Sequence, residues 1–74
     1  MDALPDGSYD VIVIDADAMH DDSVRLELTI TSGARIGDVV TVRASSSKRD
    51  PLLLLGVPGT LRVERGVPYV ELEN

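Results

Sequence analysis

Cysteine, phenylalanine and tryptophan are all absent from these 74 residues. Without cysteine, no disulfide can staple the fold and no thiolate can hold a metal. With Tyr9 and Tyr69 as its only large aromatic rings, the core must be built from Val, Leu and Ile. Proteins that hold single-stranded nucleic acid usually stack bases on such rings, so at most two platforms exist. Histidine occurs once, as His20. The longest apolar runs, Val11 to Ile14 and Leu52 to Leu55, are far too short to span a bilayer. Nor does the opening Met1-Asp2-Ala3-Leu4-Pro5-Asp6 carry the basic region and apolar stretch of a signal peptide. No membrane association is expected, and the cytoplasm is the expected location.

Positive charge is also missing from the first third. Residues 1–22 hold seven acids and no Lys or Arg, while residues 23–74 hold seven bases against six acids. The net charge of −6 is therefore concentrated near the start of a small acidic protein. A strongly basic surface is excluded, but a local basic groove is not. A hydrophobic fraction of 43% is too high for disorder. The length fits a single domain over 1–74, with 1–7 as a lead-in. A core of this size is marginal and gains from closure or a partner.

Tyr9 to Asp15 reads as a first strand, with apolar side chains on both faces, as a strand shared between two halves of a curled sheet requires. Ala16 to Ser23 is polar and reads as a loop. Val24, Leu26, Leu28 and Ile30 alternate with Arg25, Glu27, Thr29 and Thr31, the period of two that marks a half-buried strand. Ser32 to Gly37 is a turn, and Asp38 to Ser45 a third strand. Asp50-Pro51 then has the residues of a helix N-cap and first turn. Leu52 to Leu55 follow, and Gly56 closes the segment. One or two helical turns fit here, with leucines buried on more than one side. Thr60 to Glu64 and Val67 to Leu72 are the last two strands, joined by Arg65-Gly66, with Leu61 and Val63 inward. Pro68 cannot donate to a ladder and belongs at an edge or a strand start.

Three strands, a short helix and two strands make the element order of the OB-fold, an all-β five-stranded barrel with its helix between strands three and four. An SH3-like barrel is the alternative, and it would place a single 3₁₀ turn before the last strand. The first half resembles a group of small barrels. Its opening Gly7-Ser8-Tyr9-Asp10-Val11-Ile12-Val13 is followed by Leu26-Glu27-Leu28-Thr29-Ile30-Thr31-Ser32-Gly33 and Gly37-Asp38-Val39-Val40-Thr41-Val42. Over roughly residues 4–43 this is similar to phage-type OB proteins, some of which bind single-stranded DNA, and to small bacterial OB barrels. The resemblance implies an OB barrel and, through that group, single-stranded DNA as a ligand.

The basic candidates for such a ligand are Arg25, Arg35, Arg43, Lys48 and Arg49, around the strand-two and strand-three face that OB barrels commonly use. Thr29, Thr31 and Thr41 can add hydroxyls there. The alternative for these charges is pairing with Glu27 and Asp38 on a solvated surface. Tyr9 and Tyr69 are either stacking platforms or wedges in the barrel wall. Asp15, Asp17, His20, Asp21 and Asp22 crowd five potential ligands into eight residues. A calcium loop starting at Asp15 would need glycine at position six and glutamate at position twelve, where His20 and Leu26 stand. One histidine without cysteine is also too little for zinc. The segment reads as a solvated acidic turn, and no metal or cofactor is expected. No nucleophile–base pair or carboxylate dyad is visible, so a non-enzyme is expected.

Two readings stand. One is a non-catalytic single-stranded nucleic-acid-binding module. The other is a protein-interaction or assembly module that works with a protein partner or by self-association. A basic stripe on the strand-two and strand-three face favours the first, and an apolar patch on an outer face favours the second.

Overall fold

A computed structural model describes residues 4–19, 22–45 and 51–73. Five antiparallel strands run β1 (Gly7–Ala18), β2 (Ser23–Ile30), β3 (Val39–Ser45), β4 (Pro58–Glu64) and β5 (Val67–Leu72). One 3₁₀ turn, η1 (Pro51–Leu54), lies between β3 and β4. That position is the one the OB arrangement requires. The strands form a single sheet in the order β3-β2-β1-β4-β5, curled into a half-barrel. Its two edges, β3 and β5, approach one another without joining the ladder, which leaves a seam.

β1 is the spine of this sheet. Its first half pairs with β4, from Gly7↔Val63 to Ile12↔Pro58. Its second half pairs with β2, from Val11↔Ile30 to Ala18↔Val24. The overlap explains why the run from Val11 to Ile14 is apolar on both faces. β1 also continues through Ala18, where the polar composition reads as loop. A β-bulge between Val13 and Asp15 is the reason. The extra residue, Ile14, turns outward, and the inward phase shifts from Val11 and Val13 to Ala16. Asp15 and Asp17 therefore lie on a strand, paired with Glu27 and Arg25.

The inner face holds Val11, Val13, Ala16, Val24, Leu26, Leu28, Ile30, Val42, Leu61 and Val63, with Leu54 added by η1. Pro68 sits on the edge strand β5, where its missing N–H costs nothing to the β4 ladder partner. η1 differs from the expected helix. It is one short turn, and only Leu54 enters the core. Leu52, Leu53 and Leu55 are 69%, 68% and 44% exposed. A single 3₁₀ turn has three residues per turn, too few to bring four consecutive leucines onto a core-facing side. Asp50, the expected cap, lies outside the described residues. Gly56 leaves the turn at φ +80, and Gly56 N–H donates to the Val13 carbonyl at 2.8 Å. Val13 N–H donates in turn to the Val57 carbonyl at 3.0 Å, which ties η1 to the bulge.

Candidate ligand surface

Side chains alternate across each strand, so the strand register decides what meets on the outer face. On β2, even-numbered residues from Val24 to Ile30 point in, and Arg25, Glu27 and Thr29 point out. Pairing with β3 places Arg25 opposite Arg43 and Glu27 opposite Thr41. Pairing with β1 places Asp17 opposite Arg25. One level of the outer surface thus reads Asp17, Arg25, Arg43 across β1, β2 and β3.

The other half of the sheet repeats this. Leu61 and Val63 point in, so Thr60, Arg62 and Glu64 point out. Ser8 lies opposite Arg62 on β1, and Tyr69 lies opposite Arg62 on β5. The two half-rows end at the two edges of the seam. Arg43 and Tyr69 line one groove there, of about 390 Å3, with Val42, Ala44, Pro68 and Val70. The sequence Arg25, Arg43, Tyr69, Arg62 therefore runs around the outside of β2, β3, β5 and β4 as one row.

Tyr69 is half-exposed, and the Arg62 guanidinium stands over its ring, 5.8 Å from the centroid. Such a contact is worth about 0.5–1 kcal/mol at an exposed site. The same ring borders a second hollow with Ser8, Thr60, Arg62 and Glu71, and a third with Asp6, Glu64, Arg65 and Val67.

Acids temper the row. Asp17 accepts a 2.5 Å hydrogen bond from Arg25, and Glu27 lies 3.9 Å from the same guanidinium. Arg25 is held above the usual arginine pKa, first by its hydrogen bond to Asp17 and then by the Asp17 charge. Glu64 pairs with Arg62 at 3.1 Å. Opposed arginines repel across a ladder, and Asp17 offsets that repulsion between Arg25 and Arg43.

The remaining candidates fall elsewhere. Arg35 sits in the β2–β3 turn, at the far end of β2 from Arg25, and pairs with Asp38 at 3.6 Å. It lines a separate hollow of about 430 Å3 with Pro5, Tyr9, Asp10 and Ser32. Tyr9 faces the barrel side of β1 and packs against the core, and its hydroxyl donates to the Pro5 carbonyl at 2.5 Å. Lys48 and Arg49 lie outside the described residues, as do His20 and Asp21. Among the described residues no three His, Asp or Glu side chains are grouped to hold a metal.

Arg62 is the member that the sequence reading missed. A signal for it existed. Arg65 and Gly66 both have positive φ, 53° and 77°, as a two-residue hairpin turn of the primed type requires. Such a turn fixes Glu64↔Val67 and hence Arg62↔Tyr69. Asp6 secures the turn, its two carboxylate oxygens accepting from Arg65 N–H at 3.0 Å and Gly66 N–H at 3.1 Å.

No family model, curated protein or solved structure matches the chain.

Proposed function

We propose that the chain is a non-catalytic binding module that takes a short stretch of single-stranded nucleic acid along the row Arg25, Arg43, Tyr69 and Arg62. The observation that carries this reading is the row itself, three guanidiniums with the most exposed aromatic ring between them. Guanidiniums bind phosphates in a forked geometry, and a tyrosine ring stacks any base. The row is short, so its site belongs at the lower end of the about 4–16 nucleotides an OB barrel covers. Asp17, Glu27 and Glu64 compete with phosphate for Arg25 and Arg62. Binding is therefore modest in strength and sensitive to salt.

The test is fluorescence anisotropy of a labelled single-stranded oligonucleotide, first at low salt and then with salt added. Three phosphate contacts give a log–log salt slope of about −2, each arginine contributing about −0.7. Arg43→Gln reduces the slope by one such step. Tyr69→Leu weakens binding by about 1–3 kcal/mol with the slope unchanged. Absence of binding at low salt refutes the reading.

A further inference from the structure

We infer that the hollow shared by β1, β4 and β5 beside Tyr69 is a base subsite that selects guanine, and that the Glu71 carboxylate reads the base. The inference rests on the single-strand reading above and adds a sequence preference to it. The hollow measures about 230 Å3 and is lined by Ser8, Thr60, Arg62, Tyr69, Val70 and Glu71. Sites that enclose a whole drug-sized ligand measure roughly 300–1,000 Å3, so this one suits a single base. Register builds it. Thr60 and Arg62 point out from β4. The ladder sets Glu71 opposite Thr60 and Tyr69 opposite Arg62, so all four share the outer face. Bases stack on tyrosine rings and on guanidinium planes, and here Arg62 stands over Tyr69. Glu71 lies two residues further along β5, about 6.6 Å from Tyr69. A base lying against the Tyr69–Arg62 pair presents an edge to Glu71 and the Thr60 hydroxyl.

The acids around this hollow differ in what they already hold. Glu64 pairs with Arg62 at 3.1 Å, Asp10 accepts from the Ser32 hydroxyl at 2.8 Å, and Asp6 accepts from two turn N–H groups. Among the described residues none donates to the Glu71 carboxylate or forms an ion pair with it. A carboxylate can only accept. Guanine alone carries two adjacent donors on its Watson–Crick edge, N1–H and the N2 amino group, and they match the two carboxylate oxygens. Its O6 accepts, and the Thr60 hydroxyl can donate to it. Thymine offers one N–H flanked by two carbonyl oxygens that a carboxylate repels. Adenine and cytosine each set one amino group beside a ring nitrogen that also accepts. A bidentate contact to a base edge discriminates by about fivefold at the low end of its range. Glu71 is exposed, so a preference of about five- to tenfold follows.

Anisotropy titrations at low salt with two labelled oligonucleotides test this, one of thymidines throughout and one with a single central guanosine. The guanosine oligonucleotide should bind about five- to tenfold tighter. Replacing that guanosine by inosine, which lacks the N2 amino group, should remove most of the preference. Replacing it by 7-deazaguanosine, which keeps both donors, should retain it. Glu71→Gln keeps the length of the side chain but offers one acceptor and one donor. It should bring the two affinities to within about twofold of each other, with far-UV circular dichroism unchanged. Equal binding of both oligonucleotides by the unaltered chain overturns the guanine subsite and leaves the single-strand reading standing. A guanosine preference that survives Glu71→Gln or inosine also overturns it. No binding of either oligonucleotide overturns both.

Discussion

Gly59→Ala tests the packing that holds Tyr69 in place. Gly59 is buried on β4, between Val11 of β1 and Leu72 of β5. A Cβ built there would lie 2.5 Å from the Glu71 carbonyl oxygen, 2.9 Å from Leu72 Cδ2 and 3.1 Å from Leu72 Cα. Carbon–oxygen contacts settle at about 3.3–3.6 Å, so the β5 backbone must move by most of an ångström. Leu72 Cδ2 can rotate aside, but a backbone carbonyl cannot. Overpacking of this kind costs about 1–3 kcal/mol. Alanine returns about 0.4–1 kcal/mol through the unfolded chain. At mid-range values the net loss is about 1.3 kcal/mol, a fall in Tm of about 5–10 °C for a domain of this size. β5 is an edge strand, so the displacement falls on it. Amide hydrogen exchange of β5 should accelerate more than that of β1 and β2. Gly56→Ala is the contrast, strained by φ +80 but with nothing within 4 Å of the added carbon. It should lower Tm and spare β5 protection. Unchanged Tm and unchanged β5 exchange in Gly59→Ala would refute the packing argument.

Leu61→Ala removes a fully buried side chain and should cost about 2–5 kcal/mol by urea denaturation. That is a large share of the about 4–11 kcal/mol expected for a chain of this length. Asp6→Ala removes the acceptor for two turn N–H groups and should lower stability by about 1–2 kcal/mol, read from the same urea curves. Asp17→Asn releases Arg25 from its exposed partner. It should leave stability almost unchanged, because the pair is solvent-exposed, and tighten oligonucleotide binding by up to about fivefold in the anisotropy titration.

Where alternation was strict, the sequence predicted the strands closely. Val24, Leu26, Leu28 and Ile30 all point inward, and Leu61 and Val63 do the same on β4. The end of β1 was hidden because one bulged residue, Ile14, breaks the period of two and makes the following acids look like loop. Proline and leucine signalled a helix, yet four residues of 3₁₀ turn bury one leucine and leave its neighbours exposed. The candidate row was legible only in part. Arg25 and Arg43 share adjacent strands, but the approach of Arg43 to Tyr69 depends on how far the sheet curls, which no local pattern encodes. Tyr9 and Tyr69 look alike in composition, and only the register separates the ring packed on the core from the one on the surface.

The most direct measurement is an amide chemical-shift titration of the 15N-labelled chain with a short single-stranded oligonucleotide at low salt. If the outer row is the ligand surface, perturbations concentrate at Arg25, Arg43, Arg62 and Tyr69, on both sides of the β3–β5 seam. Arg35 and the turn from Leu52 to Leu55 remain unmoved. No perturbation, or one centred on the Arg35 hollow, would contradict it.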